Sequence, residues 1–332
     1  MTVTDTEMRK GCDAIEATLE DRATLSVIAD AISPASTYYF LGCGSSYWVG
    51  TVAARLFRAQ DADASAVSAP EFYFGEYPID GDTVVVASSQ SGETTETLRA
   101  FEAAADAGAR TVAVTNTAGS TLTAVADHTY VTPAGVEESV LATKSVDTAV
   151  TAAYVLGREL GDDAAQPDWT PETCRAVADR SYSDAVRTFR DAKHTYTLGT
   201  GVDYGLAGEA ARKFGEGPLL HSTPMPAMEI SHGPLANVEG DPVLLVVSDP
   251  SIAQHYEPLI GELREAGARV VAIQPDGLSL PCDASVDVPG GDPQFLFTLK
   301  AIQRLTLKLA TDRGIDPDNP PSLSKHIERD EL

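Results

Sequence analysis

The chain repeats itself, and a repeat of this length leaves few folds open. The segment Tyr39-Phe40-Leu41-Gly42-Cys43-Gly44-Ser45-Ser46-Tyr47, continuing to Ala53-Ala54-Arg55-Leu56-Phe57, aligns with Tyr196-Thr197-Leu198-Gly199-Thr200-Gly201-Val202-Asp203-Tyr204, continuing to Ala210-Ala211-Arg212-Lys213-Phe214. Tyr39, Leu41, Gly42, Gly44, Tyr47, Arg55 and Phe57 all have identical counterparts. Ala107-Gly108-Ala109-Arg110 recurs as Ala266-Gly267-Ala268-Arg269, each followed by a Val-rich run. A third echo pairs His128 to Thr132, closed by Pro133, with Ala284 to Val288, closed by Pro289. Three echoes in the same order imply a tandem duplication. The expected organisation is an N-terminal helix over 1–24, a first domain over 25–165, a second over 180–315 and a tail over 316–332.

Within the first copy, strands are predicted at Thr37 to Leu41, Thr83 to Ser88, Arg110 to Thr115 and Thr129 to Thr132. Helices are predicted at Ser46 to Arg58, Thr94 to Ala107 and Thr143 to Leu160. Val-rich runs without alternation belong to strands buried on both faces, so each copy reads as a parallel sheet between helix layers, an α/β fold of two tandem three-layer αβα domains. Ligands of such sheets bind at the carboxyl ends of the strands.

Composition narrows the partners. With 49 acidic against 24 basic residues, only seven of them lysine, and a net charge of -25, the surface repels nucleic acid. Acid excess spread along the whole chain is the pattern of proteins from salt-loving organisms, whose self-repulsion is screened at high ionic strength. No apolar run approaches the roughly 18 residues of a membrane span. The N-terminus MTVTDTEMRK has no signal-peptide core, so the expected location is the cytoplasm, and the final Arg329-Asp330-Glu331-Leu332 is read as a chance match to a retention signal. Cys12, Cys43, Cys174 and Cys282 are far apart and form no CxxC pair, so neither a disulfide framework nor a zinc site is expected.

The strand Thr83 to Ser88 runs into Ser89-Gln90-Ser91-Gly92-Glu93-Thr94 and then a helix. Gly92 permits a tight turn, helix-start N–H groups favour an anion, and the hydroxyls add donors, so the loop suits a phosphate; an ordinary Ser/Thr cap has the same signature. Gly42-Cys43-Gly44-Ser45-Ser46 also joins a strand to a helix, which lets Ser46 face the same anion. Val140-Leu141-Ala142-Thr143-Lys144 opens a further helix on the sugar side. In the second copy Ser248-Asp249-Pro250-Ser251 stands where the first has its phosphate loop, and Glu216 through Leu235 reads as an insert. The first copy is therefore expected to bind and the second to react. Glu209 and Lys213 form an i,i+4 pair, open to a surface ion-pair reading or a functional one.

Together, the Ser89 loop, Ala142-Thr143-Lys144, Glu209 and Glu216 on one helix, Ser231-His232-Gly233-Pro234-Leu235-Ala236 and Ser324-Lys325 resemble the sugar isomerase (SIS) family. Within it, the resemblance is to the isomerase half of glucosamine-fructose-6-phosphate synthase, over nearly the whole chain. It implies that Ser46, Ser89, Gln90, Ser91 and Thr94 hold the 6-phosphate and that Val140, with Glu209, contacts the sugar. It implies Glu216 as the base between C1 and C2, His232 as the ring-opening group reaching in from the adjacent subunit of a homodimer, and Lys325 at the carbonyl end. A lone carboxylate in a dry pocket, a histidine titrating near neutrality and an imine-forming lysine suit those roles.

Two departures qualify the match. Ala142 stands where the synthase commonly has serine, and no glutaminase domain with its cysteine nucleophile is expected here. The expected activity is that of stand-alone relatives: conversion of glucosamine 6-phosphate to fructose 6-phosphate and ammonia, with no cofactor, metal or nucleotide. Fructosamine-6-phosphate cleavage, an isomerase fed ammonia by a separate glutaminase, and a non-catalytic sugar-phosphate sensor are the other readings. The expected partner is a phosphorylated amino sugar, with no nucleic acid and no membrane.

Overall fold

The computed structural model of the chain describes residues 2–163 and 165–321. It opens with two helices, α1 (Val3–Glu20) and α2 (Arg22–Ile32), where one was expected. Two bodies follow. Among the described residues the first is built from Asp13–Glu138 and Ala142–Gln166, the second from 167–321 together with 2–12 and Ser139–Leu141.

The first body runs β1 (Thr37–Gly42), α3 (Ser45–Arg58), β2 (Ala64–Ser68), α4 (Ala69–Phe74), β3 (Thr83–Ser88), α5 (Thr95–Asp106), β4 (Arg110–Thr115), α6 (Thr121–Val125), β5 (His128–Val131) and α7 (Lys144–Leu160). Its sheet is parallel, in the order β2-β1-β3-β4-β5. All six residues of β3 are buried, as expected of a strand covered on both faces. The chain leaves β1 in one direction to reach β2 and in the other to reach β3, so a crevice opens between the carboxyl ends of β1 and β3.

The second body runs α8 (Pro171–Asp179), α9 (Ser183–Phe189), β6 (His194–Gly199), α10 (Val202–Glu216), β7 (His221–Pro226), β8 (Pro242–Val246), α11 (Ala253–Glu265), β9 (Arg269–Pro275), β10 (Ala284–Val288) and α12 (Gln294–Asp312). Its sheet has the order β10-β9-β8-β6-β7, the same topology. The turn geometry repeats as well: Gly44 has φ 61° and ψ -127°, Gly201 φ 65° and ψ -127°. A Cβ on Gly42 would come within 2.6 Å of Ser46, and one on Gly199 within 2.2 Å of the Asp203 carbonyl oxygen, so both strands need glycine where the helix turns back. The repeated phenylalanine anchors each helix. Phe57 is fully buried edge-on to Tyr38 and Phe40, at 5.2 and 4.8 Å, and Phe214 packs against Phe189 at 5.4 Å.

Two expectations are corrected. The segment Glu216 through Leu235 is not an insert. Residues 217–241 connect α10 to β8 and carry the edge strand β7, just as residues 59–82 connect α3 to β3 and carry β2, so the two connections differ by a single residue. The cysteines also do not all stay apart: Cys12 and Cys174 form a disulfide that ties α1 to α8 across 162 residues of sequence. Met8 packs beside it against Ala178 and Leu307. Cys43 and Cys282 are free thiols.

Candidate functional site

The crevice between β1 and β3 holds a cavity of about 50 Å³. One water needs about 10–15 Å³ measured this way, so the space is that of a phosphate-sized group. Ser45 and Ser46 reach it from the start of α3, Ser88, Ser89 and Gln90 from the end of β3, Asn116 and Thr132 from beyond β4 and β5, and Ala142 and Ser145 from the start of α7. Among the described residues no lysine or arginine lines it. Attraction for an anion comes from hydroxyls and from the positive end of α3.

The loop after β3 is held by its own hydrogen bonds. Ser89 N–H donates to the Val114 carbonyl (3.0 Å), and the Ser89 and Thr94 hydroxyls share a hydrogen bond of 3.1 Å. Gly92 N–H donates to Ser89 Oγ (3.1 Å). Gly92 has φ 69°, and a Cβ there would lie 2.1 Å from Ser120 Oγ. Asn116 N–H and Thr115 Oγ1 both donate to the Gln90 carbonyl, at 3.2 Å each.

Of the expected phosphate ligands, Ser46, Ser89 and Gln90 line the cavity, and Thr94 is one hydrogen bond away on Ser89. Ser91 does not line it; its hydroxyl accepts Glu93 N–H (3.1 Å) within the loop. Val140 is partly buried in the connection to α7. Lys144 does not project into solvent: it is buried, and its Nζ donates to the Val136 carbonyl at 2.6 Å. Asn116, Thr132 and Ser145 were not anticipated. Asn116 and Thr132 stand just past strand ends, where parallel sheets present ligands, and that placement was the available signal.

The second copy fills its own crevice. Asp203, the counterpart of Ser46, is 1% exposed and accepts hydrogen bonds from Ser248 N–H (2.8 Å) and Ser248 Oγ. Burial pushes its carboxyl up to about 7, against the opposing bonds from Ser248. Strand register pairs Ser88 with Val114 and Val246 with Ile273, so Ser248 matches Gln90 rather than Ser89. An internal carboxyl thus sits where the first copy keeps a cavity.

Glu209, Lys213 and Glu216 follow one another on α10 at spacings of four and three, on one face of the helix. The Glu209–Lys213 pair is closed at 2.7 Å with side chains 3% and 1% exposed, which rules out the surface reading. Glu216 pairs with Arg212 at 2.9 Å and is 14% exposed. Burial raises its carboxyl above the usual range, outweighing Lys213 and Arg212, and Glu209 adds to the rise. A carboxyl raised in this way holds a proton more readily than an exposed one and is suited to taking and returning it. His232 ends a 3-10 turn (Ala227–His232), exposed, and no side-chain hydrogen bond of its ring is seen among the described residues. Lys325 lies outside the described residues.

The model of the SIS domain matches residues 31–157 and 188–279. A glutamine–fructose-6-phosphate aminotransferase (isomerizing) of Pyrobaculum aerophilum is 32% identical over 321 residues, covering 92% of this chain and 53% of that protein. The chain therefore spans about half the length of that curated relative. Among solved structures, the C-terminal domain of glucosamine-fructose-6-phosphate aminotransferase from Francisella tularensis superposes with a TM-score of 0.86 at 22% identity, over 96% of this chain and 98% of that one. A glucosamine-6-phosphate deaminase from Thermotoga maritima gives 0.81 at 24% identity, over 98% and 99%. At these identities the superpositions speak to the fold.

Proposed function

Because the chain belongs to the SIS domain family, we propose that it is a sugar-phosphate isomerase acting on an amino sugar, converting glucosamine 6-phosphate to fructose 6-phosphate and ammonia. Support comes from the asymmetry between the copies: a hydroxyl-lined cavity in the first, with no cation lining it among the described residues, and a half-buried carboxyl of raised pKa, Glu216, in the second. Glu216 is the observation that carries the reading, since a binding protein has no need of it.

In the proposed reaction the phosphate is held by Ser46, Ser89, Gln90 and the Thr94-supported loop, with Ser91 shaping that loop, and Val140 and Glu209 belong to the sugar side. His232 of the adjacent subunit opens the ring. Glu216 removes the proton from C2 of the open aldehyde, leaving an enolamine with its double bond between C1 and C2. The same carboxyl returns the proton to C1, the nitrogen at C2 becomes an imine, and water releases ammonia and leaves the ketone. Lys325 stabilises charge at the carbonyl end.

The test is incubation with glucosamine 6-phosphate in high salt, following ammonia and fructose 6-phosphate together. Glu216→Gln should lower turnover by at least a hundredfold while phosphosugar binding survives. Unchanged turnover in that variant removes Glu216 as the base. Release of an amino acid from a fructosamine 6-phosphate, with no ammonia from the amino sugar, replaces the substrate. Binding without turnover of either turns the protein into a sensor.

A further inference from the structure

The wall of the cavity formed by α7 carries a buried carboxylate that no step above uses. Glu137, 2% exposed, lies just before the connection to α7 and folds back onto its first turn. Its Oε1 accepts Thr143 N–H (2.6 Å), Thr143 Oγ1 (2.7 Å) and Lys144 N–H (3.0 Å). Its Oε2 accepts Ser145 N–H (3.4 Å) and, in a short contact, the Ser145 hydroxyl. The carboxylate is saturated and touches no cavity surface; Ser145 does line the cavity.

A serine hydroxyl has one proton and two lone pairs. With its proton committed to a carboxylate, Ser145 meets the cavity as an acceptor only. The Thr143, Lys144 and Ser145 N–H groups at the start of α7 are likewise spent on Glu137, so this helix end has less to offer an anion than that of α3. A phosphate dianion brings acceptors alone and finds no side-chain donor in Ser145. A sugar hydroxyl brings a donor and finds an acceptor there.

We propose that Glu137 is a positioning residue that sets the polarity of this wall: through Ser145 it makes the α7 side read a sugar hydroxyl and turns the phosphate toward Ser46 and Ser89. Ala142, one turn earlier on the same side, has no hydroxyl, so Ser145 is the side chain there able to do it. The inference rests on the cavity being a phosphosugar site.

Titration calorimetry at pH 8, where phosphate esters carry no proton, separates the two. The probes are inorganic phosphate and the C1-reduced alcohol of glucosamine 6-phosphate, which lacks the aldehyde and cannot be turned over, tested on wild type, Ser145→Ala, Glu137→Gln and Ser89→Ala. Ser145→Ala should weaken the phosphosugar about tenfold and leave phosphate within twofold. In Glu137→Gln the amide oxygen can keep the three donors on Oε1, its NH2 then faces Ser145, and the serine proton is released toward the cavity. The phosphosugar then weakens while phosphate binds as well as before or better, a result that loss of structure does not give. Ser89→Ala should weaken both probes. Equal weakening of both probes in Ser145→Ala, or no change in either, overturns the role given to Glu137 even if Glu137→Gln fails to fold. Wild type that binds neither probe overturns the phosphosugar reading itself, and this inference with it.

Discussion

Replacing Asp203 by Asn should remove much of the protein's loss of stability between mildly acidic and mildly alkaline pH. The folded carboxyl sits at about 7 against an ordinary 3.8, because burial outweighs the two hydrogen bonds from Ser248. Between those values the folded form keeps a proton that the unfolded chain has lost. Unfolding therefore releases a proton, and stability falls as pH rises through the window; below it both forms are protonated, above it neither is. Three pKa units at 1.36 kcal/mol each make about 4 kcal/mol across the whole window, and about 3 kcal/mol between pH 5 and pH 8. Asn keeps an oxygen for Ser248 N–H and does not titrate. Urea unfolding at both pH values, at one salt concentration, gives the stability of each protein; the other carboxylates titrate alike in both and cancel. Relative to wild type, Asp203→Asn should gain about 3 kcal/mol on going from pH 5 to pH 8. Parallel pH profiles for the two proteins would refute the claim that this carboxyl is held protonated by burial.

Gly92→Ala should cost about 2 kcal/mol or more, because it adds a Cβ at φ 69° directly against the buried Ser120 hydroxyl. Calorimetric melting measures the loss, and Gly92→Ala with Ser120→Gly should recover part of it. Phe57→Ala should cost about 3–5 kcal/mol by emptying the space between Tyr38 and Phe40; because α3 carries Ser46, phosphate affinity should fall with it. Replacing Cys12 and Cys174 by Ser should lower the unfolding free energy by about 3–5 kcal/mol, since the bond closes a loop of 162 residues. Denaturant curves of the oxidised protein and the double variant give that difference.

The legible parts of the fold are those where a residue's type and its burial agree. Thr83–Ser88 and Arg110–Thr115 were readable because a strand buried on both faces shows a Val-rich run without alternation, and both were placed to the residue. The edge strands were not. Ala64–Ser68 is half exposed, and His221–Pro226 carries two prolines that only a strand with one free edge tolerates, so neither gives an apolar run. With Ala64–Ser68 unrecognised, the connection that carries β7 has no visible counterpart and reads as an insertion. At the site, Ser46 and Ser89 were readable from glycine-punctuated turns at strand ends. Glu137 was not, because a carboxylate in a connecting loop reads as solvated until the helix it caps folds back upon it. The disulfide escaped because pairing over such a separation is decided by the tertiary fold and leaves no mark in local spacing.

The disulfide also bears on the order in which the protein can be completed. Residues 3–12 leave the ribosome ahead of everything they pack against: Cys174 on α8, Asp179, bound by Arg9 at 2.7 Å, and α12, whose Lys300 Nζ donates to the Met8 carbonyl at 2.8 Å. The first body can close as soon as α7 is made, but the head of α1 must wait for α12. The head of α1 is therefore placed last although it precedes its partners in the chain, and a nascent chain arrested before α8 would carry an unplaced amphipathic segment and an unpaired thiol at Cys12.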